Sequence, residues 1–376
     1  MLAQTYRPIE IIIVDDGSTD NTLDVARILV DRHPEIVRLI SQPHVYYTAA
    51  WNTGMHAATG EFIQFLDSDD LLLPEKFTCQ VDALAESPGC DISYCYIHEH
   101  PFAAPRTGLP ARHTATTFSH LFPQLLSSKI WPSPSPLYRR CAVEQAGAFL
   151  DVRTQPDWEW ECRLAAHGVR LQHCRRFLGE TRGTHALEGR HKGGVPAGRS
   201  GDYLLVLERV LEHARSAGVN PRSLDVLAPK LLNAARLCAR EGRDDLSERA
   251  LRLAAEVSSP ARRVRVAVQS ALAATVGPSA AADTFERVNA DPRLRLAVRA
   301  VTLPQRAANH AYRHARDWWY YARGRRILRD YSGHYARSRR GYSTAVEAPA
   351  MNGEGFSDGV WVIPPSGDHR LPLPAD

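Results

Sequence analysis

The chain has 376 residues, 44% of them hydrophobic and 23% charged, and a net charge of +4. This is an ordinary globular composition, and so small a positive excess gives no argument for a nucleic-acid partner. No apolar run approaches the roughly 20 residues of a membrane-spanning helix, MLAQTYRPIE lacks the basic start and apolar stretch of a secretory signal, and seven cysteines with no C-x-x-C pair read as free thiols of a reducing cytoplasm.

IEIIIVDD (9–16) is a nearly continuous apolar run, as in a strand buried on both faces. STDNTLDVARILVDRH (18–33) follows, with capping residues Ser18, Thr19 and Asp20 ahead of apolar residues at helical spacing. IVRLIS (36–41) reads as a second strand and TAAWNTGMHAATG (48–60) as a helix closed by Gly60. EFIQFLD (61–67) is a third strand, Pro74 opens the helix PEKFTCQVDALAES, and DISYCYI (91–97) is a fourth strand. Alternation of this kind predicts a mostly parallel sheet flanked by helices.

From 98 to 135 prolines and histidines are frequent and the pattern weakens, with WPSPSPLYRR (131–140) reading as a loop into another element. DWEWECRLAAHG forms the core of a helix over 156–167. Beyond about 200 the chain is strand-poor, Ala-rich and Arg-rich. DYLLVLERVLEHARSAG, SLDVLAPKLLNAARLCAREG and LSERALRLAAEV predict amphipathic helical hairpins without a fixed repeat. Residues 345–376 carry Gly and Pro with little periodicity and predict a disordered tail.

In an open α/β sheet, ligands bind beyond the carboxyl ends of the strands. Two acidic clusters sit at such ends: Asp15 and Asp16 after the first strand, and Asp67, Asp69 and Asp70 after the third. Crowded carboxylates repel one another, so a positive group among them is the simpler account. Mg²⁺ and Mn²⁺ take oxygen ligands and are bound through one or two carboxylates together with phosphates. The bland alternative is that each aspartate only caps the helix that follows it.

These segments carry a resemblance. IIIVDDGSTDNT, followed by ATGEFIQFLDSDDLLLPEK, is similar to the family 2 glycosyltransferases of GT-A fold, over roughly residues 1–190. The resemblance implies that Asp15 and Asp16 border the nucleotide-sugar site, with Asp16 on the base. It implies that Asp67 and Asp69 meet the ribose and a divalent metal, Mg²⁺ or Mn²⁺, with Asp69 the direct ligand. AAWNTGMHAATG resembles an A-R-N-x-G segment and puts Asn52 at the donor, although Trp51 replaces the usual arginine. QPDWEWECRLAAHG resembles the segment whose aspartate activates the acceptor, here Asp157. Pro156 stands where the family has Glu, and Glu159 and Glu161 are secondary candidates for the base. Arg182 and His185, in ETRGTHALEG, resemble an R-x-x-H stretch and are assigned to the diphosphate and the metal.

The resemblance also implies a strand, turn and helix ahead of LAQTY, the strand being central in the sheet. Here the sequence opens at MLAQTY. A start site assigned too far downstream and a truncated gene product are the two explanations, and the first is preferred.

The expected organisation is a GT-A-like, N-terminally incomplete domain over 1–195, a helical domain over 196–344 and the tail. The expected activity is inverting transfer of a sugar from a nucleoside-diphosphate donor to a carbohydrate or lipid-linked acceptor, in polysaccharide or glycolipid synthesis. A non-catalytic remnant with a helical partner-binding module, and an aspartyl-phosphate phosphotransferase using Asp67, are the competing readings. Residues 310–342 interleave Trp318, Trp319, Tyr320 and Tyr321 with arginines. They predict either packing onto the catalytic part or a peripheral contact at the inner face of a membrane, and no nucleic acid is expected.

Overall fold

The computed structural model describes residues 1–99, 110–111, 113–181, 195–290 and 359–363. In chain order, β1 (Glu10–Asp15), α1 (Thr22–Arg32), β2 (Val37–Ser41), α2 (Tyr47–Ala57), β3 (Phe62–Leu66), β4 (Leu71–Leu72), α3 (Lys76–Ala85) and β5 (Ile92–Glu99) form the first half of the α/β part. β6 (Leu137–Arg139), α4 (Arg140–Ala146), α5 (Pro156–Ala166) and β7 (Leu171–Thr181) complete it. The helices α6 (Ser200–Ser216), α7 (Pro221–Leu224), α8 (Ala228–Arg240), α9 (Asp244–Val257), α10 (Pro260–Val276) and α11 (Pro278–Ala290) follow, and β8 (Gly359–Ile363) comes last.

The eight strands make one sheet in the order β2-β1-β8-β3-β6-β5-β7-β4. β1 pairs with β2, and β5 with β7, in parallel. β8, β6 and β4 run against their neighbours. Five strands therefore share one direction, and their carboxyl ends form one rim. The α/β class, with a mostly parallel sheet and a helical C-terminal part, is as the sequence predicts, and β8, β6 and β4 are the antiparallel strands interleaved in it.

The periodicity-based elements fall where the residues put them, with three differences at helix ends, one being that α3 starts at Lys76 after Glu75, so Pro74 does not open it. α1 starts after Asn21, and Asp20 serves it by accepting from the Thr22 N–H at 2.9 Å. α2 ends at Ala57 with Ala58 extended, so Gly60 does not close it. β3 is buried along its whole length. Its Phe65 ring meets Trp51, Tyr138, Phe149 and Trp160 edge-on or tilted, at centroid distances of 5.3–5.9 Å. Trp51, where the resemblance implies an arginine, is 5% exposed and belongs to this aromatic core.

That core does not stop at the sheet. The buried cluster containing Ile12, Phe65 and Trp160 continues through Leu204, Leu207 and Val210 of α6 to Leu231, Ala235 and Ala254 of α8 and α9. Burial of such side chains contributes roughly 1.5–3 kcal/mol each, so the helical array shares in the stability of the α/β part.

The tail expectation for 345–376 needs correction at Gly359–Ile363. This stretch pairs with β1 on one side and β3 on the other. Local composition signalled a loop, while the pairing is with residues about 300 positions earlier. The expected contact segment 310–342, like Arg182 and His185, lies outside the described residues.

Candidate active site

The first aspartate pair sits where β1 meets the rim. Gly17 turns the chain there with φ +77°, and a Cβ on it would lie 2.7 Å from the His44 nitrogen. Only glycine combines that conformation with so close an approach. Asp15 accepts from the Ser18 N–H and the Ser41 hydroxyl, each at 3.2 Å, tying the turn to β2. Asp16 accepts from Gln42 Nε2 at 2.7 Å and from the Val45 N–H at 3.2 Å, and His44 Nδ1 lies 3.0 Å from its other oxygen. Thr53 of α2 in turn donates to Gln42 Oε1 at 2.6 Å. Both carboxylates are buried and shape the loop that forms this side of the rim.

The second cluster follows β3. Burial raises the pKa of Asp67, the neighbouring charges of Asp69 and Asp157 raise it further, and the Ser133 hydroxyl and the Lys129 ammonium oppose them. Asp67, Asp69, Asp157 and Lys129 thus occupy one electrostatic neighbourhood, although Asp67 and Asp157 are 90 positions apart in sequence. Lys129 Nζ bonds Asp157 Oδ2 directly, and Glu161 Oε1 lies 3.9 Å from the same ammonium.

The local sequence explains how Asp157 is held. Pro156 fits the first helical position because it has no N–H to satisfy. Gln155 ahead of it is left-handed, with φ 51°, a conformation that costs a non-glycine residue roughly 1 kcal/mol or more. Asp157 Oδ1 accepts its neighbour's Trp158 N–H at 2.8 Å. Trp158 anchors the turn by donating from Nε1 to the Leu125 carbonyl at 2.7 Å, and Trp160 does the same to the Gly147 carbonyl at 2.7 Å. α5 is therefore fixed in rotation, which fixes the side of the helix on which Asp157 lies.

Glu159 faces elsewhere. It is 1% exposed and takes a bidentate pair from Arg163, Nη2 at 2.7 Å and Nε at 3.2 Å, together with His213 Nε2 of α6 at 2.8 Å. Burial alone would raise its pKa, but the hydrogen bonds and charges of His213 and Arg163 outweigh that and hold it below the usual range. This carboxylate clamps α5 to α6 and is spent structurally, which removes it as a candidate base.

Asn52 is similarly engaged. Its Nδ2 donates to the Phe149 carbonyl at 3.0 Å and its Oδ1 accepts the Phe149 N–H at 2.8 Å. Both ends of the amide thus hold α2 to the chain after α4.

A polar chain under the site has no sequence signature. Lys76 is fully buried, and its ammonium bonds Gln64 Oε1 at 2.6 Å and Gln80 Oε1. Gln64 Nε2 donates to the Ser133 carbonyl at 3.1 Å, and Ser133 bonds Asp67. Burial lowers the pKa of Lys76 to about 8. Lys129, Lys76 and Ser133 are the residues that sequence reasoning missed. Gln80 is four positions from Lys76 on the same helix, but Gln64 is 12 positions from Lys76 and 69 from Ser133, and Asp157 is 28 from Lys129, beyond the reach of a local pattern.

Among the described residues, no group of three or more His, Cys, Asp or Glu could by itself hold a metal ion. Asp67 and Asp69 offer hard oxygen donors, and a divalent cation there would relieve the repulsion that raises Asp67. Two carboxylates suit a cation whose remaining ligands are phosphate oxygens.

Comparison with known proteins follows the same lines. Residues 1–132 match the family described as glycosyl transferase family 2. An uncharacterized glycosyltransferase of Nostoc sp. is 45% identical over 87 residues, 23% of this chain and 27% of the relative. The uncharacterized glycosyltransferase EpsJ of Bacillus subtilis is 32% identical over 158 residues, 40% of this chain and 45% of the relative. The matches thus span less than half the length of these curated relatives. The crystal structure of S. aureus TarS superposes with a TM-score of 0.50 at 17% identity, covering 74% of this chain and 50% of that one, a likeness of fold.

Proposed function

Starting from a family 2 glycosyltransferase sequence over residues 1–132 on a GT-A-like fold, we propose that the chain is an inverting glycosyltransferase. It moves a sugar from a nucleoside-diphosphate donor to a hydroxyl of a carbohydrate or lipid-linked acceptor. The observation that carries the reading is the shared surroundings of Asp67, Asp69 and Asp157, with Lys129 bonded to Asp157.

In this reading the rim on β1, shaped by Asp15 and Asp16, holds the nucleoside, and Asp67 and Asp69 face its ribose and diphosphate. A divalent cation, Mg²⁺ or Mn²⁺, held by Asp69 and Asp67 would neutralise charge on the departing diphosphate. Asp157 takes the proton from the acceptor hydroxyl as that oxygen attacks the anomeric carbon, and one displacement inverts the configuration. Lys129 holds the Asp157 carboxylate in place between turnovers. When an acceptor hydroxyl arrives, it competes with the ammonium for Oδ2. Arg182 and His185 are assigned to the diphosphate and metal on the strength of the motif. A role in envelope polysaccharide or glycolipid synthesis, and a peripheral membrane contact through 310–342, complete the proposal. No helix of the described residues is long and apolar enough to cross a membrane.

The test is Asp157→Asn. Release of nucleoside diphosphate is measured over a panel of UDP- and GDP-sugars with Mg²⁺ or Mn²⁺, and binding of UDP and GDP by calorimetry. Loss of a positioned base lowers turnover by roughly 10²–10⁴-fold, while nucleotide affinity stays within a few-fold. Transfer at the native rate would refute the assignment of the base.

A further inference from the structure

Asp157 has a second carboxylate one helical turn behind it. Glu161 is four positions further along α5, so both side chains lie on one face of the helix. Lys129 Nζ, which bonds Asp157 Oδ2, lies 3.9 Å from Glu161 Oε1. Exposure falls inward along this row, from 25% for the Asp157 side chain to 17% for Lys129 and 6% for Glu161. We propose that Glu161 is a positioning residue of the transfer reaction: a second seat, to which the Lys129 ammonium moves when an acceptor hydroxyl takes Asp157 and from which it returns. This role takes Asp157 as the base, as in the proposed function.

Both oxygens of Asp157 are engaged before an acceptor arrives. Oδ1 accepts the Trp158 N–H at 2.8 Å, and Oδ2 accepts from Lys129. In the transfer step the acceptor O–H bond breaks and its proton goes to Oδ2. The hydroxyl's electron pair forms the bond to the anomeric carbon, and the pair of the donor's C–O bond leaves with the diphosphate. A protonated Oδ2 has lost the charge that held the ammonium. A mostly buried cation released from its partner is costly. Glu161 takes it up after a short move: closing 3.9 Å to the roughly 2.8 Å of a charge-assisted bond shifts Nζ by about 1 Å. The flexible four-carbon stem of a lysine allows that swing.

The surroundings suit a seat better than a second base. Glu161 is buried, too enclosed to meet an acceptor but within reach of Lys129. Burial, and then the charges of Glu161 and Asp157, push the Tyr138 phenol of β6 well above its usual range, which puts that ring in the neighbourhood of both carboxylates. Carboxylates at positions i and i+4 of a helix repel, and one ammonium between them relieves both. After proton transfer the neutral Asp157 stands beside a Lys129–Glu161 pair, and no net charge is left in the row. Glu159, between the two in sequence, is held by Arg163 and His213 and takes no part. Asp67 also feels the Lys129 charge, but in the proposed function it faces the ribose and diphosphate of the bound donor.

A crystal structure of full-chain Asp157→Asn tests this without substrate, the amide standing in for the neutral, protonated carboxyl. Lys129 Nζ should lie about 2.8 Å from a Glu161 carboxylate oxygen. A separation still near 3.9 Å, or an ammonium turned to Asp67, would overturn the proposal. Kinetics with the UDP- and GDP-sugar panel give a second readout. Glu161→Gln should lower kcat roughly 10- to 100-fold, the scale of an ångström misplacement. Its donor KM and its affinity for UDP or GDP should stay within about threefold of wild type. Because Glu161 acts through the ammonium, Glu161→Gln combined with Lys129→Met should be no slower than Lys129→Met alone. Additive losses would make Glu161 merely structural and overturn the proposal. Native turnover in Glu161→Gln beside an inactive Asp157→Asn would overturn it too, while leaving the base in place. Native turnover in Asp157→Asn would refute the base, and this role with it.

Discussion

Lys76→Met should change how stability depends on pH. The Lys76 ammonium is fully buried and faces two neutral amides, Gln64 and Gln80. Burial takes its pKa from an ordinary 10.5 down to about 8. The difference, 10.5 minus 8, is about 2.5, which at 1.36 kcal/mol per pH unit is about 3 kcal/mol. The sign follows from proton counting. Below pH 8 both states hold the proton and the folded chain bears the full cost of a buried cation. Between pH 8 and 10.5 the folded state has released the proton while the unfolded state keeps it, so stability rises with pH. Above 10.5 the contribution is constant. Urea unfolding of wild type and Lys76→Met at half-unit steps from pH 7 to 10.5 isolates this contribution. The difference between the two proteins should grow in favour of wild type by about 3 kcal/mol across the window. Other groups titrate in both proteins and cancel, and Cys95, pushed up to about 11 by burial, titrates mostly beyond the window. Parallel curves from pH 8 to 10 would refute the placement of the ammonium.

Three further outcomes are open to measurement. Glu159→Gln should destabilise the fold by about 2 kcal/mol at pH 7, below the 3–5 of a wholly buried pair because Arg163 and His213 are partly exposed. Because the folded pKa of Glu159 is depressed, that deficit is present above its ordinary value of 4.5 and shrinks as pH falls below it, which urea melts from pH 7 to 3 would detect. Gly17→Ala should cost at least about 1 kcal/mol, from the positive φ and the contact with His44, and should weaken UDP or GDP binding measured by calorimetry. Lys129→Met should lower turnover more than nucleotide affinity, since the Asp157 carboxylate loses the group that holds it. Lys129→Arg should restore most of the turnover.

The legible parts of the molecule were those with short-range signals. β1, β2, β3 and β5 announce themselves as apolar runs between turn residues, and α1, α2, α3 and α5 by helical spacing. The aspartate clusters were visible because strand ends are where α/β sheets bind ligands. β6 escaped because it is three residues long and framed by WPSPSP. β7, LQHCRRFLGET, mixes exposed basic residues with buried ones around an irregular register against β5, so its period is broken. Trp158 and Trp160 belong to the core, yet their indole N–H groups also set the rotation of α5. Asp157 lies 28 positions from Lys129, and His213 lies 54 from Glu159, distances over which one sequence carries no pairing information. β8 was hidden twice over, by a Gly- and Pro-rich setting and by the longest sequence separation of any pairing in the sheet.

The clamp between Glu159 and His213 bears on how such chains can be recombined. The helix presenting Asp157 is braced from behind by the first helix of the C-terminal array. A chimera joined near residue 196 would inherit Asp157 and its helix from one parent and the brace of that helix from the other. Successful grafts should therefore carry 150–216 as a block, and a screen of crossover points should show a trough of survivors inside it.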